Sequence, residues 1–330
     1  MTRDAARPRG TLYLWPDAAA FLGRDLRAEA HAKYAATLTV AVEGSIRVRV
    51  AGSPPIETTA VLVGPNVEHE KDAHGAVVAV VLIDPGSQGY LRLEPLFERG
   101  TTHVLPNAED AARLRRTVRR WLEGTLDADR VLARLVGELA KPVPLSRARD
   151  RRIDAALALL RAQLPSVPSV GEVADAVGLS EGRFIHLFRD EMGLPMRRYA
   201  SWMRVRDAAL RIARGESLTD AALEAGFADS SHLCRTFRAM FGVPPSLLLA
   251  TGRFVDVQVR ERPATGRLEP LGQVQRSAQP IRSTARPEAP MRQQGRSSAT
   301  SGRSGTWSPW NATTPTPHAR SGSSPRPRSS

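Results

Sequence analysis

A chain of 330 residues, 42% hydrophobic and 25% charged, is long enough for two globular cores and is not fibrous in composition. Its single cysteine, Cys234, excludes an internal disulfide, a zinc finger and any multi-cysteine metal site. The formal charge of +13 has the sign that nucleic-acid binding asks for but the wrong distribution: residues 253–330 carry net +9 and residues 150–252 only +1.

The N-terminal MTRDAARPRGTLYLW has no apolar signal core, and no apolar run reaches the roughly 18 residues a membrane span requires. A cytoplasmic protein with no membrane partner is expected. From Tyr34 to Leu82, short β-branched runs (ATLTVAVEG, SIRVRVAG, TTAVLVGPN, AVVAVVLIDPG) alternate with turns at Glu43-Gly44, Gly52, Gly64-Pro65 and Pro85-Gly86. This pattern predicts a small antiparallel barrel or sandwich within residues 1–106. The period then becomes helical. After a candidate Asn107 cap, Leu114, Val118, Trp121 and Leu122 form one stripe; after Asp127, Val131, Leu132, Leu135, Val136 and Leu139 form another. A helical hairpin is expected over 107–141 and a polar, proline-containing linker over 142–150.

Residues 151–252 read as all-helical, with apolar positions spaced by three and four, beginning at Ile153, Leu157, Leu160 and Leu164. Residues 253–330 are rich in Arg, Ser, Pro and Gly, and a disordered basic tail is expected there. The class is therefore α+β with two domains and a tail.

Within the helical region a single grammar occurs twice. In SVGEVADAVGLSEGRFIHLFRDEMG, Val170, Val173, Ala174 and Val177 give a short helix its buried face. Gly178 permits a left-handed turn, Ser180 is placed to cap the next helix, and Phe184, Leu187 and Phe188 are that helix's buried face. In SLTDAALEAGFADSSHLCRTFRAMFG, Leu218, Ala221, Ala222 and Ala225 precede Gly226, and Leu233, Phe237 and Met240 follow. Two helix-turn-helix units are predicted, over about 170–191 and 218–241. Between them, the segment after Pro195 puts Tyr199, Trp202, Met203, Leu210 and Ala213 on one helical face, a strut able to hold the units apart.

The run AALRIARGESLTDAALEAGFADSSHLCRTFRAMFGVPPS, with the unit before it, closely resembles the C-terminal signature of AraC/XylS transcription regulators over about 100 residues. Leu248 departs from that signature, where an aromatic often follows the Pro-Ser step. The resemblance implies a sequence-specific regulator that reads double-stranded promoter DNA. Carried over position by position, it puts base-reading residues at Gly182, Ile185 and His186, with Arg183 beside them, and at Ser230, Ser231, His232 and Arg235. Arg235 is suited to bidentate pairing with guanine, and Ile185 to a thymine methyl. Arg183, Arg189, Arg197 and Arg198 are either phosphate contacts or solvated faces. Cys234 is read as an ordinary small residue.

The N-terminal half resembles the cupin-type sensor half of many such regulators. A metal-binding cupin presents His-x-His and a following Glu, whereas here His31 is followed by Lys33, and Thr37 or Leu38 stands in the Glu region. No metal and no cofactor are therefore expected. His31, Lys33 and His69 are the candidate effector-binding residues, and an anionic effector is favoured. Arg47 and Arg49 lie nearby or face solvent. The resemblance further implies contact with RNA polymerase if the regulator is an activator, and a homodimer through the hairpin, unless the hairpin's stripes simply cover the barrel. The alternative is a cupin enzyme with an accessory DNA-binding domain; with one cysteine, a DNA alkylation-repair fusion is excluded. The first reading is a regulator with no catalytic residues.

Overall fold

A computed structural model describes residues 9–24, 26–140, 148–248 and 255–260. The strands start earlier than the turn pattern indicates: β1 (Arg9–Trp15), β2 (Ala18–Arg24) and β3 (Arg27–Ala32) precede β4 (Ala36–Ala41), β5 (Ile46–Val50), β6 (Ile56–Thr58), β7 (Ala60–Val63), β8 (Glu68–Asp72) and β9 (Val78–Ile83). Helix α1 (Gln88–Leu93), a 3-10 turn over Glu94–Gly100 and the short β10 (His103–Val104) follow.

The strands form two sheets, one in the order β3-β8-β5-β6 and one in the order β10-β7-β4-β9-β2-β1, every pairing among them antiparallel. Burial on both faces explains why β7 and β9 read as continuous apolar runs. Alternation then sorts β9 between two cores. Val78, Val80 and Leu82 join the core shared with Ile46, Val48 and Val50 of β5, while Ala79, Val81 and Ile83 join the core under a helical hairpin.

That hairpin is α2 (Ala108–Leu122) and α3 (Ala128–Leu139). The Asn107 side chain accepts from the Asp110 N–H at 2.9 Å and Asp127 accepts from Asp129 at 2.7 Å, so each helix starts on a capped end. Leu114, Val118, Trp121, Val131, Leu132, Leu135 and Val136 are buried against the large sheet. The stripes therefore cover the barrel. Leu122, placed in the stripe by spacing, is instead 47% exposed, one position past the buried face.

The C-terminal part comprises α4 (Arg151–Ala162), α5 (Val170–Ala176), α6 (Glu181–Met192), α7 (Met196–Ala213), α8 (Leu218–Glu224), α9 (Ser230–Phe241) and α10 (Pro245–Leu248). Residues 141–147, most of the expected linker, lie outside the described residues. The helical domain does not hang free of the sheets. Phe184, Phe188, Tyr199, Trp202 and Phe237 share one apolar core with Phe21, Val80 and Leu82. The turn Asp84–Gly86 after β9 is gripped by arginines of the helical domain and of the segment leading into it. Arg206 pairs with Asp84 at 2.6 Å, Arg149 donates to the Pro85 and Gly86 carbonyls at 2.6 and 3.2 Å, and Arg161 donates to Gly86 at 3.1 Å.

One expectation is corrected at the end of the helical domain. Composition predicts disorder from 253 onward, yet Val255–Val259 form β11, which adds in parallel to the outer edge of β1 with Leu12 opposite Val257. Arg260 then donates to both Asp129 carboxylate oxygens at 2.8 Å and, through its backbone N–H, to the Leu14 carbonyl at 2.8 Å. The alternation VDVQV supplies the strand signal, which the surrounding composition conceals. Residues 261–330 lie outside the described residues.

Gly242, just past α9, has φ +71°, and a Cβ there would lie 2.8 Å from the Glu29 carbonyl and 2.8 Å from His31 Nδ1. Gly242→Ala is expected to cost about 1–3 kcal/mol in urea denaturation, because left-handed strain and a backbone collision act together. A cost below about 0.5 kcal/mol would mean that α9 and β3 separate easily.

Candidate nucleic-acid interface

The first unit is built from its ends. Ser169 and Glu172 form a reciprocal capping box at the start of α5, with bonds of 3.2 and 2.7 Å. Gly178 turns the chain at φ +69°. Ser180 occupies the N-cap position of α6 but makes no side-chain capping bond, so backbone geometry alone starts that helix. Phe184, Phe188 and Met192 are buried, which turns Gly182, Arg183, Ile185 and His186 outward. Ile185 is 45% exposed, an aliphatic side chain presented to solvent on an otherwise polar surface.

The second unit repeats the arrangement with tighter packing. Ser217 caps α8 by accepting from Asp220 at 3.1 Å, and Gly226 turns at φ +83° with Pro165 so close that a Cβ would meet its carbonyl at 2.9 Å. Asp229 caps α9, accepting from the His232 N–H at 2.6 Å. Ala221, Ala222, Leu233, Phe237 and Met240 are buried, whereas Leu218, expected in the buried stripe, is 38% exposed because it stands at the first position of its helix. Ser231, His232 and Arg235 are exposed and Ser230 half-buried. The His232 ring lies edge-on to Phe227 with centroids 5.2 Å apart, which steadies it at the helix start.

Between the units α7 runs 18 residues, about 27 Å at the α-helical rise. Tyr199, Trp202 and Met203 are buried along it. The arginines separate into two sets. Arg198 bonds Asn66 and lies over the Tyr34 ring at 5.7 Å, Arg204 donates to the Pro165 carbonyl, and Arg211 pairs with Asp207 and Glu216. Arg198, a candidate phosphate contact by sequence, is thus occupied by the sheet domain. Arg183, Arg189, Arg197 and Arg235 form no ion pair with any described residue, and their charge is available to an incoming polyanion.

A second cluster lies in the sheet domain. His31 on β3 and His69 on β8 are register partners with ring centroids 4.5 Å apart, both buried. Each Nδ1 bonds a carbonyl two residues back, Glu29 and Val67, and each Nε2 is buried without a partner. Lys33 is buried beside them, as is Lys71, whose Nζ donates to Thr39 at 2.9 Å. Sequence reasoning passes over Lys71. Its signal is the alternation in EHEKD, which puts His69 and Lys71 on one strand face and Glu68, Glu70 and Asp72 on the other. Burial, reinforced by the two lysines, holds His31 down at about 2 and His69 well below the ordinary imidazole range. Burial likewise holds Lys33 well below the amine range and brings Lys71 to about 8. Arg47 and Arg49 are exposed and paired with Glu57 and Glu70, outside this cluster. Among the described residues no group of three or more His, Cys, Asp or Glu is placed to hold a metal ion, and two lysines beside the histidines would repel one.

Two helix-turn-helix units on a common strut, behind a two-sheet domain, define the class: a double helix-turn-helix domain joined to a domain of two sheets. Residues 173–250 match the family model described as a helix-turn-helix domain. An HTH-type transcriptional regulator of Haemophilus influenzae is 25% identical over 99 residues, 30% of this chain and 33% of that protein, so the chain matches about a third of that relative's length. Among solved structures, ToxT from Vibrio cholerae is 12% identical, covering 76% of this chain and 100% of that one, with a TM-score of 0.49. An AraC-type DNA-binding domain protein from Chromobacterium violaceum is 24% identical, covering 29% of this chain and 86% of that one, with a TM-score of 0.28. The C-terminal domain is a helix-turn-helix domain, and over it the chain is similar to an HTH-type transcriptional regulator. Among the described residues no helix is long and apolar enough to cross a membrane.

Proposed function

We propose that the chain is an effector-responsive transcription regulator that binds promoter DNA in the cytoplasm and acts by binding rather than by catalysis. The observation that carries this reading is the reading face of α9. Ser231, His232 and Arg235 are exposed on it and Arg235 has no ion-pair partner among the described residues, while the opposite face is locked into the core by Leu233, Phe237 and Met240. A side chain held at its root and free at its tip is what direct readout of a guanine edge needs. Arg183, Arg189 and Arg197 supply phosphate contacts that set the register, and Gly182, Ile185 and His186 supply close approach and apolar contact. With successive major-groove faces about 34 Å apart, two units on one rigid strut fit adjacent grooves on one side of the duplex, so a monomer makes a bipartite contact. RNA polymerase is the further partner for an activator, and a homodimer would use the outward face of the α2–α3 hairpin.

A gel-shift on the DNA upstream of the chain's own reading frame tests this reading. Arg235→Ala is expected to weaken binding to the preferred site about tenfold or more, since a bidentate arginine–guanine pair is worth about 1–3 kcal/mol. Binding to unrelated duplexes should change little. If the wild-type chain and the variant bind all duplexes alike, sequence-specific reading is wrong.

A further inference from the structure

The side of the α2–α3 hairpin that does not cover the sheet carries a polar groove. Leu114, Val118 and Leu135 turn inward to the sheet core; between the two helices on the other side lies a groove of about 270 Å³, lined by Arg113, Arg116, Thr117, Arg120, Arg134 and Glu138. Positions 113, 116, 117 and 120 recur along one face of α2, and 134 and 138 stand one turn apart on α3. Four guanidinium groups thus surround one carboxylate. Arg113 pairs with Glu109 and Asp110 outside the groove, and Arg134 donates to Glu138 Oε1 at 3.3 Å. Arg116 and Arg120, one turn apart and both exposed, pair with no described carboxylate.

The floor is polar as well. Thr117 and Glu138 are buried and joined by a bond of 2.8 Å from the threonine hydroxyl to Oε1, while Glu138 Oε2 and Arg113 Nε are buried with no partner among the described residues. Buried donors and acceptors are ordinarily satisfied. Arg134, its side chain 57% exposed and held to Glu138 by that one long bond, is able to swing onto an incoming anion and uncover Oε2. Acidic residues bound the cationic stretch at both ends: Glu109 and Asp110 at the start of α2, Glu123 and Asp127 at the turn into α3. These repel a continuing polyanion such as a nucleic-acid backbone, whereas a small anion fits between them. We propose that this groove binds a hydroxylated phosphomonoester of sugar-phosphate size, its phosphate on Arg116, Arg120 and Arg134 and a hydroxyl donating to Glu138 Oε2. A phosphomonoester carries close to two negative charges near pH 7 and three acceptor oxygens, which suits guanidinium groups converging from two helices better than a single carboxylate does. The volume, just under the ~300 Å³ at which sites for drug-sized ligands begin, suits a pentose or hexose phosphate. The groove shares no residue with the apolar cavity that Lys33 lines beside α9, nor with the reading faces of α6 and α9, so binding here is separable from DNA reading.

Isothermal titration of the full chain at about pH 7.5 with ribose 5-phosphate, inorganic phosphate and ribose tests the proposal. Ribose 5-phosphate is expected to bind at least tenfold more tightly than inorganic phosphate, and ribose is expected not to bind. Arg116→Gln and Arg120→Gln should each weaken ribose 5-phosphate at least tenfold, the usual cost of one charge-assisted hydrogen bond. Arg119→Gln, exposed on the same helix but outside the groove, should leave the affinity unchanged. All three arginines are exposed and pair with no described carboxylate, so the variants are expected to fold, and a cooperative thermal melt confirms this. Absence of ribose 5-phosphate binding, equal affinity for inorganic phosphate, or an equal loss in Arg119→Gln would overturn the proposal.

Discussion

Asp84→Ala is expected to lower the unfolding free energy by about 3–5 kcal/mol, because it strands a largely buried guanidinium without its partner. For a chain of this size that corresponds to a fall in Tm of about 10 °C. Asp84 is 1% exposed and accepts from Arg206 at 2.6 Å and from the Gly86 backbone N–H at 2.6 Å, so alanine also frees the turn that Arg149 and Arg161 grip. Since that turn belongs to the sheet domain, Arg161 and Arg206 to the helical domain and Arg149 to the segment leading into it, the loss is expected to loosen the two against each other. The double variant Asp84→Ala, Arg206→Met should recover much of the stability by replacing the stranded charge with an apolar side chain of similar reach. Differential scanning calorimetry of wild type and both variants checks the argument. A single variant within about 1 kcal/mol of wild type would show that the pair contributes nothing beyond its desolvation cost.

The largest pH effect is expected from His31 and His69. Both are neutral in the folded chain, held below the ordinary value of 6.5 by burial and the adjacent lysines, while in the unfolded chain they titrate near that value. Below pH 6.5 the unfolded state binds more protons than the folded state, so stability is lost as pH falls. For two such groups the loss between pH 7 and pH 5 is about 4 kcal/mol, before most carboxylates begin to protonate. Urea denaturation at half-unit intervals across that range measures it. His69→Phe should about halve the slope; an unchanged slope in that variant would assign the acid sensitivity elsewhere.

The helix-turn-helix units are legible in the sequence because their cues are local. Paired apolar positions, a glycine that adopts positive φ and a polar cap three residues before a backbone N–H act within a few residues of each other, and Gly178, Gly226, Ser169 and Asp229 fill those places. Errors fall where local spacing meets a helix end. Leu122 and Leu218 fit the apolar period but stand at terminal positions that face solvent. The early strands escape sequence reading because alanine-rich β2 and β3, AAAFLGR and RAEAHA, lack β-branched residues and take their conformation from pairing with β9 and β8. β11 is concealed by the composition around it. A truncation placed after Gly252 on composition would remove a strand that pairs with β1, and a cut after Arg260 leaves it in place.

The uneven charge that argues against reading +13 as a DNA footprint has a structural counterpart. What the sequence by itself determined is the helix-turn-helix class of the C-terminal domain and which faces of its helices are buried, since both depend on helical periodicity and turn chemistry encoded within some 25 residues. Which arginines are available was decided by tertiary structure. Arg198, Arg206, Arg149 and Arg161 are taken by Asn66, Asp84 and the carbonyls of a turn far away in the chain, and Arg183, Arg189, Arg197 and Arg235 are left without an ion-pair partner among the described residues. The same holds for the buried basic cluster. His31 and Lys33 meet His69 and Lys71 only because β3 and β8 pair in one register, and the cavity beside Lys33 exists only because α9 packs on that sheet domain. Contacts between residues so distant in the chain leave no periodic trace in either segment, and only the folded chain brings them together.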